Sequence, residues 1–221
     1  MTKYKLSTLI IFILGLFSIK IVNAYNNNLE LLGKVIYLDP GHGGKDPGCI
    51  YDGIYEKDIN LEITKKIEKR LYEQGAIVYL TRYDDYDLSV NKTNNRKRSD
   101  LSRRSNIINT TKPDLYLSIH LNAEESGLYR GAQAFYTDNN TNNIVLAKLF
   151  QEQFKKELNS YRKYKKDNTL YMEKRIKTPG ILLEIGFLSN YNERYLLKQD
   201  EYQEKVSNVI VNTVIKYFNN Y

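Results

Sequence analysis

The chain contains only two histidines, and each follows a short apolar run. His42 comes after residues 35–38 (VIYL) and an Asp-Pro-Gly turn, and His120 comes directly after residues 115–119 (LYLSI). Such runs, bounded by proline and glycine, are typical of buried strands. Ligands of open α/β sheets bind beyond the carboxyl ends of the strands. Two imidazoles in this position therefore predict a metal site.

Two carboxylates are expected at the same edge of the sheet. Glu56 begins an amphipathic segment after the His42 loop, and Glu184 ends the apolar run 180–183. A catalytic zinc takes three protein ligands and leaves a fourth position open. We therefore interpret His42, Glu56 and His120 as metal ligands. Glu184 is then the general base, which takes a proton from zinc-bound water and returns it to a leaving amine.

Each of these residues also has an ordinary structural explanation. A histidine at a strand end is often a satisfied polar group, and Glu56 suits the positive end of a helix dipole. Glu184 would fit an ion pair with a buried arginine. These explanations would all have to hold together, whereas one metal site accounts for four side chains at one edge.

Hydrophobic periodicity predicts the elements that carry these residues. Ile59, Ile63, Ile67 and Leu71 form one apolar stripe, which predicts a helix over residues 56–74. Other helices are expected at about 101–109, 144–158 and 201–218, and strands near 35–38, 76–81, 113–120, 131–136, 170–172 and 180–185. Strand, helix and strand in order imply a right-handed parallel crossover. The predicted fold class is α/β, a single three-layer domain with a mostly parallel twisted sheet and helices on both faces.

Composition limits the function classes. The 221 residues carry a net charge of +7, with 42% hydrophobic and 27% charged residues, as in an ordinary globular protein. Three lysines and no acidic residue lie in residues 1–24, so the rest of the chain carries only 30 basic against 26 acidic groups. This mild excess argues against nucleic-acid binding, which favours a denser basic stripe. Cys49 is the only cysteine, so no internal disulfide forms, and we interpret it as a packing residue.

The N-terminus has the pattern of an export signal. Lys3 and Lys5 precede an apolar stretch over residues 6–19, and Ala24 ends a small-residue cleavage site. Residues 1–24 are therefore a signal peptide or an uncleaved membrane anchor, and both alternatives predict an exported protein. Residues 25–33 are expected to be a linker, and residues 34–221 the catalytic domain.

Four ordered motifs resemble the zinc-dependent N-acetylmuramoyl-L-alanine amidases of the amidase-3 family. They are LDPGHGG at 38–44, EKDINL at 56–61, SIHLNA at 118–123 and LEIGFLSN at 183–190. The resemblance covers about residues 34–218. It implies one zinc ion held by His42, Glu56 and His120, and Glu184 as the catalytic glutamate. The implied reaction cleaves the amide between N-acetylmuramic acid and the L-alanine of the stem peptide.

Substrate residues, the subtype and partners are also predicted. Asn122 and Arg104 are assigned to substrate binding, although Arg104 is also the best candidate for a buried ion pair. A catalytic domain without wall-binding domains resembles the germination-specific amidases, which remove stem peptides from spore cortex so that muramic-δ-lactam forms. The implied substrate is a peptidoglycan strand with its stem peptide, and the implied location is the cell wall, the membrane surface or the intermembrane space around a developing spore. An exported or lipoprotein activator is expected to replace the missing targeting domain.

Two other function classes stay open from the sequence. A zinc peptidase, such as a carboxypeptidase, would use the same metal chemistry on a different amide. A non-enzymatic cell-wall-binding module would bind peptidoglycan without cleaving it.

Overall fold

The computed structural model describes residues 29–90 and 93–221. The signal or anchor at residues 1–24, and the linker residues as far as 28, lie outside the described residues. Leu31 is fully buried, and its backbone N–H donates to the Gln74 carbonyl at 2.9 Å. The compact unit therefore begins at Leu31, earlier than the predicted residue 34. Among the described residues, no helix combines the length and apolar character that crossing a membrane requires.

A six-stranded mixed sheet forms the middle layer. Its strands are β1 (Val35–Pro40), β4 (Ile77–Leu80), β5 (Leu115–Asn122), β6 (Gln133–Tyr136), β7 (Lys165–Lys166) and β8 (Gly180–Phe187). They lie in the order β4-β1-β5-β8-β6-β7. The pairs β1–β4, β1–β5, β5–β8 and β6–β7 are parallel, whereas β6 runs antiparallel to β8. The carboxyl ends of β1, β5 and β8 consequently meet at one edge.

Three helices cover one face of the sheet. They are α1 (Glu56–Glu73), α3 (Asn142–Glu157) and α5 (Asp200–Asn220). The predicted stripe of α1, which comprises Ile59, Ile63, Ile67 and Leu71, is buried in the main core. Alternate residues of the central strands point into the same core, so each strand contributes one face to it.

The opposite face carries α2 (Arg96–Thr111) and a short 3₁₀ helix (Glu173–Arg175). A smaller buried cluster joins them to the sheet, consisting of Tyr37, Ile108, Tyr116, Met172 and Ile176. Helices therefore cover both faces, and the predicted three-layer α/β fold is confirmed.

Several local predictions differ from the structure. Helix α2 begins at Arg96 and not at Leu101, because the Asn95 side chain caps it by accepting the Arg98 N–H. The strand expected at 170–172 is wrong: the Leu170 and Met172 carbonyls accept bonds from Lys174 and Arg175, which makes a turn and not a ladder.

Four short elements were not predicted. The hairpin of β2 (Ile50–Tyr51) and β3 (Ile54–Tyr55) lies between the His42 loop and α1, and α4 (Tyr191–Leu197) follows β8. Strand β7 lies inside the expected loop 159–169. Each has seven residues or fewer, which is too short for a reliable periodic signal.

Candidate metal centre

The loop after β1 presents the first histidine. His42 has a φ of 62°, in the left-handed region, and Gly43 and Gly44 after it also have positive φ. This turn brings the ring back toward the sheet edge. His42 Nδ1 lies 2.9 Å from Asp46 Oδ2, and Nε2 lies 3.1 Å from Glu56 Oε1. Asp46 thus occupies one ring nitrogen and orients the other toward Glu56.

Glu56 is the first residue of α1 and is only 4% exposed. Its Oε2 accepts the Cys49 N–H at 2.9 Å, and its Oε1 accepts the Leu121 N–H at 3.1 Å. The positive end of the helix dipole favours a carboxylate here. Backbone bonds from two different segments therefore fix the position of this carboxylate.

The second histidine lies across from Glu56 on β5. His120 Nδ1 is 3.1 Å from Glu56 Oε1, and the rings of His120 and His42 are 4.9 Å apart at 77°. A Cβ on Gly41 would collide with the His120 ring, so this close approach requires glycine at position 41. The backbone of the His42 loop and the His120 ring are therefore in direct contact.

These three side chains form a group that could hold a metal ion. One ligand atom from each of His42, Glu56 and His120 lies within 4.8 Å of the others. Two imidazoles and a carboxylate are the donor set of many catalytic zinc sites, in which ligand bonds are about 2.0–2.2 Å long. The chemistry and spacing of the donors fit zinc.

The charges of the group are strongly coupled. Burial alone would lower the pKa of His42, but hydrogen bonds with Asp46 and Glu56 outweigh it and raise that pKa to about 9. Burial would raise the pKa of Glu56, but the two histidines hold it well below its usual range. A cation held by this group would take the place of a proton on His42, because metal binding requires a deprotonated imidazole.

Glu184 lies on β8 next to His120 in the parallel register. Its Oε2 atom is buried and has no hydrogen-bond partner among the described residues. Burial and the neighbouring Glu56 raise the pKa of Glu184 to about 8. An unsatisfied buried carboxylate destabilises a fold, so this one is arranged for something other than stability.

A cavity of about 240 Å³ opens over these groups, lined by His42, His120, Glu184, Glu173 and other residues. Cavities of this kind, with a few convergent polar groups, are typical of small-ligand sites. A larger depression of about 650 Å³ between α3 and α5 contains none of the metal-site residues. The donor chemistry, and not the size of the cavity, identifies the functional site.

Arg104, which the resemblance assigns to substrate binding, is 1% exposed. Its guanidinium pairs with Asp39 at 2.8 Å and Asp100 at 2.9 Å, and donates to the His42 carbonyl at 2.6 Å. The buried ion pair expected for it is confirmed. Since these bonds hold the His42 loop, Arg104 positions that loop. It also lines the cavity over the metal group, so its contact with substrate stays a prediction.

Asn122 lies at the end of β5, two residues beyond His120, and is partly exposed. It lines a separate groove next to the metal group. Cys49 packs beside Glu56, and burial raises the pKa of its thiol, so the thiol stays protonated, in line with a packing role.

Sequence reasoning missed three further residues near the site. Asp46 orients His42, and its place four residues after the histidine in Asp-Pro-Gly was an available signal. Glu173 lies buried in the cavity wall, directly after the segment 170–172 that was expected to be a strand. Arg162 lies in the expected loop, and only the fold brings it beside Asn122.

Fold and metal group together are those of a hydrolase built on a parallel sheet, and comparison with known proteins identifies the class. Residues 36–216 match the family model described as N-acetylmuramoyl-L-alanine amidase. The chain belongs to this family, the amidase-3 enzymes, as its motifs predicted.

Individual relatives agree with this assignment. The chain is 41% identical to the germination-specific N-acetylmuramoyl-L-alanine amidase of Bacillus subtilis (strain 168), over 96% of this chain and 94% of the relative. It is similar to the CwlD amidase of Clostridioides difficile, solved in complex with the GerS lipoprotein, with a TM-score of 0.80 and 38% identity over 85% of this chain and 99% of that chain. An N-acetylmuramoyl-L-alanine amidase of Clostridium difficile 630 gives a TM-score of 0.76 and 30% identity, over 85% and 97% of the two chains.

Proposed function

We propose that this chain is a zinc-dependent amidase that hydrolyses the bond between N-acetylmuramic acid and L-alanine in peptidoglycan. The observation that carries the proposal is the grouping of His42, Glu56 and His120 beside the unpartnered Glu184 Oε2. Membership of the amidase-3 family supports the choice of amide.

The three-ligand group is the proposed site of one zinc ion per chain. When bound, zinc polarises the substrate carbonyl and lowers the pKa of a coordinated water. The chain itself supplies the geometry: Asp46 keeps His42 Nε2 directed at the ion, and the Cys49 and Leu121 N–H groups hold the Glu56 carboxylate.

Glu184 is the proposed proton carrier. Its Oε2 accepts a proton from the attacking water, whose oxygen bonds to the amide carbon. The same carboxyl then gives that proton to the leaving nitrogen as the carbon–nitrogen bond breaks, which releases the amine of L-alanine. Burial and Glu56 raise the pKa of Glu184 to about 8, which makes its carboxylate a stronger proton acceptor than an ordinary one. A zinc ion at the three-ligand group would favour the ionised form from which the reaction starts.

The test is digestion of purified peptidoglycan by the full-length protein and by Glu184→Gln, with products identified by mass spectrometry. The wild type should release intact stem peptides that begin with L-alanine. The variant should retain zinc and lose about 10²- to 10⁴-fold in rate, whereas Glu125→Gln, on an exposed loop residue, should match the wild type. Products cut within the stem peptide would instead identify a zinc peptidase, and full activity of Glu184→Gln would refute the role of Glu184.

We also propose that the protein acts outside the cytoplasm on spore cortex. The support is the similarity to a germination-specific amidase and the apolar N-terminal pattern of residues 1–24. Deleting the gene should remove muramic-δ-lactam from the cortex of mature spores. Cortex with unchanged muramic-δ-lactam would refute the spore role and leave the amidase reaction standing.

A lipoprotein or other exported activator is the proposed partner. A similar amidase, the CwlD amidase of Clostridioides difficile, has been solved in complex with the GerS lipoprotein. We expect the purified protein alone to digest peptidoglycan slowly and to speed up when its partner is added. Full activity of the protein alone would refute the need for a partner.

A further inference from the structure

A second groove, of about 280 Å³, opens at the same edge of the sheet as the metal group. We call it the side groove; Asn122, Tyr129, Gln133, Arg162, Lys165 and Phe187 are among its lining residues. Asn122 and Phe187 are register partners at the ends of β5 and β8. Because Asn122 is two residues beyond His120, the side groove begins roughly 7 Å from the metal group.

Arg162 is held rigidly in the side groove. Its Nε and Nη2 donate to Gln133 Oε1 at 3.2 and 3.0 Å, and Gln133 is itself buried and donates to the Lys163 carbonyl at 2.7 Å. The guanidinium carbon lies 5.4 Å from the Tyr129 ring centroid and 5.2 Å from that of Phe187. An arginine ordered in this way loses little further freedom when it binds a ligand.

The side groove offers unused positive charge. Arg162 Nη1 has no hydrogen-bond partner among the described residues, and the Lys165 ammonium lies in the same groove over the Phe135 ring. Glu124 is the acidic residue of the described lining, and its Oε2 accepts the Ser126 N–H and hydroxyl. The carboxylate of Glu124 is therefore directed at its own loop. Glu193, which Arg162 influences electrostatically, accepts the Gly131 and Phe187 N–H groups and makes no ion pair with Arg162.

We propose that the side groove binds a free carboxylate on the peptide part of the substrate, at the second residue after the cleaved amide. An extended peptide advances about 3.3–3.6 Å per residue, so that carboxylate lies at the distance where the side groove begins. The charged donors of Arg162 and Lys165, and not an aromatic ring alone, line this groove, which favours an anionic group of the substrate over a neutral one. The inference rests on the proposed amidase function and identifies a specificity determinant for it.

The experiment compares two synthetic N-acetylmuramoyl dipeptides whose second residue has its γ-carboxyl capped as a methylamide. The two substrates differ only at the α-carboxyl of that residue, which is a free carboxylate in the D-isoglutamate form and a carboxamide in the D-isoglutamine form. The full-length zinc enzyme should cleave the carboxylate substrate with about tenfold higher kcat/KM, since hydrogen bonds to charged groups are the stronger kind. Arg162→Gln should lose this preference through a higher KM for the carboxylate substrate alone. Lys163→Gln, the exposed neighbour outside the lining, should retain the preference.

Two results would overturn the inference. The first is that the wild type cleaves both substrates with equal kcat/KM. The second is that Arg162→Gln loses kcat/KM equally for both substrates and also binds less zinc. Lys165→Gln is a second variant that leaves the Arg162–Gln133 hydrogen bonds intact. It should lower the preference for the carboxylate substrate by a smaller factor than Arg162→Gln does. Calorimetric binding of the two dipeptides separates the hypotheses. If the carboxylate substrate binds more tightly but neither substrate is cleaved, the amidase function is refuted and carboxylate binding by the side groove is supported. If both substrates bind equally, carboxylate binding by the side groove is refuted.

Discussion

Two glutamates in the wall of the cavity over the metal group have pKa values raised into the neutral range. Burial and Glu56 raise the pKa of Glu184 to about 8, and burial, together with Asp39 and Asp167, raises the pKa of Glu173 to about 7. Glu184 has a chemical role that explains its environment. Glu173 is 4% exposed in the cavity wall and has no such role in the proposed reaction.

Glu173 should therefore make stability depend on pH. Its folded pKa of about 7 exceeds the ordinary value of 4.5, so the folded state binds this proton more tightly than the unfolded state does. The stabilisation is present below about pH 4.5 and is lost as pH rises to about 7. Glu173→Gln should thus raise the free energy of unfolding by about 2–3 kcal/mol at pH 8 and change it little at pH 4.

Urea unfolding at the two pH values measures this difference, with Glu125→Gln on an exposed loop as the control. A change of the same size at both pH values would mean that packing, and not protonation, distinguishes the variant.

At the scale of elements, a buried ion network joins α2 to β1. Arg104 on α2 pairs with Asp39 on β1 and with Asp100 one turn earlier, and it donates to the carbonyls of Pro40 and His42. Arg82, also buried, donates to the Pro40 and Gly41 carbonyls. Two arginines thus satisfy the backbone of the loop that carries the first metal ligand.

Arg104→Ala should lower the free energy of unfolding by about 3–5 kcal/mol, because it leaves Asp39 buried without its cation. It should also weaken zinc binding, since the His42 loop loses two hydrogen bonds. Thermal and urea unfolding of the metal-free protein give the first effect, and competition with a zinc chelator gives the second.

The matched control is Arg103→Ala, one residue earlier and exposed, which should change stability by less than about 0.5 kcal/mol. Similar losses in the two variants would show that the helix, and not the ion network, is responsible.

At the scale of the whole molecule, the residues of the metal group were easier to predict from the sequence than the residues of the grooves around it. His42, His120 and Glu184 follow apolar runs that could only be neighbouring strands, and parallel strands bring their carboxyl ends together. Glu56 was predictable because the stripe of α1 must face the sheet. The family and the three-layer fold followed from these same residues.

The rest depends on contacts that no local pattern records. Arg162 and Asn122 are 40 positions apart in the sequence, and they meet because β6 runs antiparallel to β8 and β7 adds at the edge. Likewise residues 170–172, just before Glu173, were expected to form a strand, but bonds to the Leu170 and Met172 carbonyls close a turn there. Tertiary packing decides such segments.

Metal binding should stabilise the whole domain, because an unfolded chain cannot assemble His42, Glu56 and His120. At a free zinc concentration about 100 times Kd, the free energy of unfolding should rise by about 2.7 kcal/mol. Thermal unfolding with added zinc, and again after a chelator, measures this gain. Glu56→Gln should show no zinc-dependent rise, and an equal rise in that variant would place the ion elsewhere.

The left-handed backbone conformation of His42 affects which residues can replace it during evolution. Glycine adopts that conformation more easily than histidine does, so the chemistry of the imidazole retains a residue that is not the one the local backbone most favours. In homologues that no longer need the activity, substitution at this position should favour glycine. The residue at position 42 would then distinguish active enzymes from inactive homologues that retain only the fold.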